Sequence, residues 1–352
     1  MMMQASGTHP INVEAFRSRL RAELAEIGRP PDGWLEKMGR APMPTHDRRP
    51  FTEQGRVFRG FYETFYHVLA WYKVEKMSTF KPLGWVIDER VVATVNERLV
   101  ELIHQALAEE SGHQFDAWLR SYDAGPLARY TAVDYAFQTL TRGTIKTVLD
   151  FGSGIGRQAF QWCADPEVAF VSVDAIESLY LLQNRIYGSL YPDKLVEYFA
   201  DPEGLRGAMA ALTPGRLYHL PTWRMEWLPQ ASMDLIICVQ VLQELDEAIL
   251  RQVLGAFRRI VKPGGLLYIR DKEFWTPAHH VRVGRELLRQ GWRLIFKYGG
   301  DEGTEIGGIP RLWVFTGEDH HRYFRPLARL RRAVLPSYRL SYDAWKDIGL
   351  PI

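Results

Sequence analysis

Val148-Leu149-Asp150-Phe151-Gly152-Ser153-Gly154-Ile155-Gly156-Arg157 carries the densest local signal in the chain. An apolar run, Thr147 to Phe151, bears an acid near its end and opens into three alternating glycines. Gln158 to Cys163 then has helix-forming composition. The pattern predicts a strand, a tight turn and a helix N-terminus. Glycine permits the positive φ of a sharp turn and lets a ligand come close to the backbone. A helix N-terminus presents unsatisfied N–H groups to that ligand. A glycine loop that binds nothing is the plain alternative. The dinucleotide fingerprint G-x-G-x-x-G would need glycine where Arg157 stands. Asp150 would repel a diphosphate and favour a ligand with a cationic or amine-bearing end.

Working outward, strands and helices alternate. Ala169 to Val173 is an apolar strand that ends in Asp174, and a helix follows from Ile176 to about Gly188. Asp174 is either a ligand-binding acid at a strand end or the N-cap of that helix. Leu190 to Pro214 reads as an insertion with its own helix, Pro202 to Leu212, serving as extra cap or dimer surface. The next strand is Leu217 to Leu220 or Trp223 to Glu226. Asp234 to Val239 is a further strand. Glu247 to Ile260 is a helix, which Lys262-Pro263-Gly264-Gly265 should stop by a left-handed glycine. Leu266 to Arg270 is a strand ending at Asp271. A helix (Val281 to Gln290) and two strands (Trp292 to Tyr298, Arg311 to Thr316) close the pattern, with Gly299 to Pro310 as a mobile lip. Alternation of this kind means an α/β fold with a mainly parallel sheet.

These segments together resemble the class I S-adenosylmethionine-dependent methyltransferases over roughly residues 126 to 317. The family's first motif is an acid, one residue, then G-x-G-x-G after the first strand, which Asp150, Gly152, Gly154 and Gly156 match. The resemblance implies a Rossmann-like, doubly wound, seven-stranded sheet with an antiparallel last strand. It implies S-adenosyl-L-methionine as cofactor, bound by Asp150, Gly152, Ser153, Gly154, Gly156, Asp174, Ala175 and Gln240. Asp174 would accept the ribose hydroxyls, and Gln240 would touch the methionine part. Tyr130 and Tyr135, in a helix expected from Tyr130 to Leu140, would flank the cofactor. An acid usually reads the adenine amino group, but Arg224 or Met225 stands at that place here. Glu226 is the nearest substitute, with Trp223 or Trp227 offering stacking.

Composition narrows the class. Hydrophobic residues make up 46% and charged residues 24%, which suits an ordinary globular protein. A net charge of +2 gives no general case for nucleic acid. The 2 cysteines, Cys163 and Cys238, each lie in an apolar segment, so a disulfide framework is not expected and a reducing cytoplasm fits. No run is long enough to cross a bilayer, and Met1 to Pro10 lacks the pattern of a secretory signal. Residues 1–125 read as a helical cap and substrate region, with helices at Asn12 to Ile27 and Val91 to Ala108. Phe58, Phe61, Tyr62, Phe65, Tyr66 and Leu69 recur there at helical spacing, which usually means packing and leaves a few to line a pocket. Residues 126–317 would be the cofactor domain. Residues 318–352 form a basic tail in which Arg322, Arg325, Arg329, Arg331, Arg332 and Arg339 read as a solvated face before they read as an RNA site.

Methyl transfer is an in-line displacement at a sulfonium carbon, so the protein's main task is alignment. A hydroxyl or amine acceptor must also lose a proton. Base candidates are His279, His280, Asp271 and Glu244. Adjacent histidines lack metal-ligand spacing, so no metal is expected. The Asn-Pro-Pro-Tyr type of motif, which resembling enzymes use for planar amino groups, is absent. The sequence therefore favours O-methylation of a small acceptor such as a sugar or secondary metabolite. An RNA or protein methyltransferase and a non-catalytic cofactor-binding protein are the alternatives.

Overall fold

The computed structural model describes residues 145–175, 177–242, 245, 247–271, 277–297 and 309–318, together with Ser18, Arg19, Ala22, Glu97, Thr131, Asp134, Tyr135, Phe137, Gln138 and Thr139. The aromatic stretch from Phe58 to Leu69, the helix expected over Val91 to Ala108 (apart from Glu97), Tyr130, Glu244, the Gly299 to Gly308 link and the arginines of the tail lie outside the described residues.

The elements run β1 (Thr147–Phe151), α1 (Ala159–Trp162), β2 (Ala169–Asp174), α2 (Glu177–Leu190), β3 (Leu195–Glu197), α3 (Pro202–Met209), β4 (Leu217–Pro221), a 3-10 turn (Thr222–Trp227), β5 (Met233–Val239), α4 (Glu247–Ile260), β6 (Val261–Asp271), α5 (Pro277–Arg289), β7 (Trp292–Lys297) and β8 (Ile309–Phe315). They form one 8-stranded sheet of order β3-β4-β2-β1-β5-β6-β8-β7. All pairs are parallel except those of β8, which runs antiparallel to both β6 and β7. The chain steps from β1 to β2 on one side and later to β5 on the other. That reversal makes the carboxyl ends of β1, β2 and β5 the place where open α/β sheets bind ligands.

The sheet has one strand more than the seven expected. β3 lies in the segment read as an insertion, and it is only three residues long, too short to announce itself by periodicity. It pairs with β4 at the sheet edge. Beside it, α3 starts where Asp201 accepts a hydrogen bond from the Gly204 N–H (2.9 Å) and Pro202 takes the first turn. Of the two alternatives for the following strand, Leu217–Pro221 is the strand and Trp223 to Glu226 lies in the 3-10 turn. The Lys262-Pro263-Gly264-Gly265 segment is not a helix stop. Helix α4 ends at Ile260 and β6 begins at Val261, with the register slipping between Met233 and Leu235 so that these residues bulge out. Gly264 does take a positive φ of 78° in that bulge.

Parallel strands are buried on both faces, and here the two faces differ in kind. One carries Leu149, Phe151, Val171, Ile236, Cys238 and Ile269, which pack in a continuous apolar cluster with the inward stripe of α4 (Ile249, Val253, Phe257). The other carries a cross-strand row set by the register: Glu197 opposite His219, His219 opposite Ser172, Ser172 opposite Asp150, then Ile237 and Tyr268. All six are buried. A polar row inside a protein has to be satisfied by partners, and helices supply them.

Candidate active site

The loop after β1 is tied down by its own backbone. Gly152 and Ser153 both donate to the Val173 carbonyl (2.9 and 3.2 Å), and Gly156 N–H donates to Ser153 O (2.9 Å). All three glycines have positive φ: 72°, 59° and 76°. They differ in what surrounds them. A Cβ at Gly152 would strike Val241, and one at Gly156 would come 2.5 Å from the Tyr187 hydroxyl. A Cβ at Gly154 would meet nothing within 4 Å. Packing therefore explains the outer two glycines, whereas Gly154 borders open space above the loop. The helix expected next is a single turn, Ala159–Trp162, so the loop itself, not a helix terminus, shapes this edge.

This contrast makes a prediction. Gly154→Ala should fold at a cost of about 1–2 kcal/mol for its left-handed backbone, while weakening cofactor binding at least tenfold, because its methyl enters the open space. Gly156→Ala should lose more stability, because it also displaces the Tyr187 ring. Thermal melts paired with S-adenosylhomocysteine titrations would show the split. Equal melting temperatures for the two variants would contradict it.

Asp150 sits under the loop, buried to 2% exposure. Burial pushes its carboxyl up to about 7, against the pull of Arg157. Its Oδ2 has no hydrogen-bond partner among the described residues. Asp174, at the end of β2, accepts hydrogen bonds at Oδ2 from the Gly154 N–H and the Gln183 amide (both 3.0 Å). Ala175 is buried beside it. Gln240 follows β5, donates its N–H to Arg270 O (2.9 Å) and has a positive φ of 59°. That turn is what presses Val241 onto Gly152. The structure thus gathers Asp150, Gly152, Ser153, Gly154, Gly156, Asp174, Ala175 and Gln240 at the carboxyl ends of three adjacent strands.

Glu226 is not gathered with them. Its side chain is 58% exposed and lies 3.7 Å from Arg224. Arg224 is held away as well: its Nε donates to the Tyr198 hydroxyl (2.7 Å), and its guanidinium lies over the Tyr198 and Trp227 rings. Trp227 is thereby occupied by Arg224 and Arg206. Among the acid–base candidates, Asp271 is buried at the end of β6. His279 and His280 fall in the first turn of α5, and their side chains are outside the described residues, as is Glu244. Tyr135 stands edge-on to Trp162 with centroids 5.2 Å apart, a packing contact.

Sequence reasoning missed a buried charge cluster beneath the loop. Asp134, fully buried, receives Nε and Nη2 of Arg270 (2.6 and 2.9 Å), Nη2 of Arg157 (2.5 Å) and the Tyr268 hydroxyl (2.5 Å). Burial alone would raise its carboxyl, but the two guanidiniums and these hydrogen bonds outweigh it and hold it down at about 2. The cluster ties the helical segment before β1 to the glycine loop and to β6. The Arg157 guanidinium of this cluster also acts on Asp150, pulling its carboxyl down against burial. The signal was present: Arg270 ends the apolar run Leu266 to Ile269, and a charge in a buried strand demands a partner.

Residues 93–328 match the family model described as a methyltransferase domain. The chain belongs to that family: it is a methyltransferase, and S-adenosyl-L-methionine is its cofactor. Among solved structures it is similar to a SAM-dependent methyltransferase from Aquifex aeolicus (16% identity, covering 55% of this chain and 99% of that one, TM-score 0.37). It is also similar to a methyltransferase structure from Pseudomonas syringae (15%, 53% and 96%, TM-score 0.36) and to the glycopeptide N-methyltransferase MtfA (16%, 53% and 89%, TM-score 0.36). No curated protein matches the sequence. No helix among the described residues is long and apolar enough to cross a membrane, and they contain no cluster suited to a metal ion.

Proposed function

We propose that the protein transfers a methyl group from S-adenosylmethionine to a hydroxyl oxygen of a small organic acceptor, a sugar or a secondary metabolite. The observation that carries the cofactor half is the buried Asp150 Oδ2, which has no donor among the described residues. The methionine part of the cofactor brings an ammonium, which is a donor of the right charge. Asp174 accepts the ribose hydroxyls, the open space over Gly154 admits the ligand against the backbone, and Gln240 borders the methionine part. When bound, the cofactor supplies a methyl group on a sulfonium, already a good leaving group. The chain's own residues then orient the acceptor and take its proton. Asp271 at the end of β6, His279 and His280 in the first turn of α5, and Glu244 after β5 are the candidates for that base.

The acceptor half is supported by the residues that follow β5. Gln240-Val241-Leu242 stands where an Asn-Pro-Pro-Tyr motif would mark planar amino acceptors. The net charge of +2 also offers little attraction to RNA phosphates. The test is incubation with methyl-labelled cofactor against a panel of hydroxyl-bearing sugars, phenols and polyketide-like alcohols, with bulk RNA and protein as parallel arms. Label on the oxygen of a small compound is expected. Label confined to RNA or protein would overturn the acceptor, and binding without transfer in every arm would favour a non-catalytic role.

A further inference from the structure

The buried row on the polar face of the sheet does more than satisfy itself. Its partner on α2 is Gln183, which is fully buried. The Gln183 amide nitrogen donates to Gly154 O (2.6 Å) and to Asp174 Oδ2 (3.0 Å). Both are acceptors, so the nitrogen must face them and the amide oxygen must face the other way. There it meets His219 Nε2 (3.0 Å), while the Ser172 hydroxyl, 3.3 Å away, has its one hydrogen closer to Ser153 Oγ. Only a donor suits that oxygen, so His219 carries its proton on Nε2. The opposite nitrogen, Nδ1, has no hydrogen bond among the described residues, and Glu197 Oε1 stands 3.9 Å from it. Stacking on Tyr180, with centroids 3.9 Å apart, fixes the imidazole plane. The Ser172 hydroxyl in turn bonds Ser153 Oγ (2.8 Å) and the Tyr187 hydroxyl (3.0 Å).

We infer that Gln183 is a positioning residue of the cofactor site: its amide aims the Asp174 carboxylate and the Gly154 peptide, and His219 on β4 locks that amide in one orientation. The inference rests on the reading of Asp174 as the ribose-binding acid. Two donors, the Gly154 N–H and the Gln183 amide, converge on Oδ2 and fix the rotation of the carboxyl group. The same amide holds the carbonyl of the residue that borders the open space. A glutamine on the helix thus couples the two ligand-facing parts of the site.

The test is a double-mutant cycle read by binding of S-adenosylhomocysteine to the full chain. Ligand-observed NMR is used so that millimolar dissociation constants are reached. Gln183→Met keeps length and removes both donors. It should weaken binding about tenfold or more in the parent protein and several-fold less than that in the Asp174→Ala background, where only the hold on Gly154 O is left to lose. Equal losses in both backgrounds, or no loss in either, would overturn the proposal, since a merely structural role lowers affinity regardless of Asp174. Wild-type affinity in Asp174→Ala alone would instead sink the ribose reading. Gln183→Glu gives an independent check. It keeps the acceptor for His219 and sets a second carboxylate against Asp174, so it should bind worse than Gln183→Met. Binding as good as that of Gln183→Met would count against the proposal.

Discussion

Asp134→Ala is expected to cost the fold about 3–5 kcal/mol, the scale for removing one member of a buried ion cluster. It removes the buried carboxylate that Arg157 and Arg270 share. It also cuts the Tyr268 hydroxyl bond. Since a domain's whole stability is about 5–15 kcal/mol, the variant should unfold at far lower urea or fail to accumulate folded. A loss under about 1 kcal/mol would mean that the cluster is not the tie it looks like. The pH dependence follows from the same geometry. The two guanidiniums hold the Asp134 carboxyl down at about 2, below the 3.8 of a free aspartate. A depressed carboxyl contributes stability above its unfolded pKa, and that contribution drains as pH falls from about 4 to about 2. The shift corresponds to about 2–3 kcal/mol. Asp150 and Glu197, raised to about 7, and His219, lowered to about 3, act in other windows or in the opposite sense. The informative quantity is therefore the difference between parent and variant below pH 4. There the two urea midpoints should converge.

Asp174→Ala is expected to weaken S-adenosylmethionine and S-adenosylhomocysteine binding by a hundredfold or more while leaving the melting temperature within a few degrees. A buried carboxylate that accepts two ribose hydroxyls makes two hydrogen bonds to a charged acceptor, each worth about 1.5–3 kcal/mol. The stability cost is smaller, because the loss of an acceptor for the Gly154 N–H and the Gln183 amide is offset by relief of the like charge facing Asp150. Calorimetric titration of the parent and the variant decides it. Retained affinity would move the ribose contact elsewhere along the edge formed by β1, β2 and β5.

What was legible in the sequence was whatever local chemistry forces. The spacing Asp150, Gly152, Gly154, Gly156 announces a strand, a turn and a ligand edge, because few backbones need left-handed residues at every second position. The ends of β2 and β5 were legible for the same reason: Asp174 and Gln240 are each a polar break at the end of an apolar run. The 3-residue β3 left no period to read. The Lys262 to Gly265 segment has the composition of a helix stop and serves as a strand bulge, a difference that pairing with β5 decides and propensity does not. Glu226 was chosen by position along the chain, yet the 3-10 turn leaves it exposed beside Arg224. The links Asp134 to Arg270 and Gln183 to Gly154 join residues 136 and 29 positions apart. No local pattern reports such pairs, although Arg270, His219 and Ser172 each interrupt an apolar strand and so signal that a partner exists.

The cross-strand row has a consequence for how the chain finds its sheet. Strands that are apolar on both sides can slide past one another with little change in burial, so their alignment is weakly encoded. Glu197, His219, Ser172 and Asp150 remove that freedom. A slip of one residue in β2 or β4 would turn Ser172 or His219 to the apolar face of the sheet and away from the Gln183 amide oxygen. The row works as an address code for strand docking during folding, written in the four side chains that cannot be buried anywhere else.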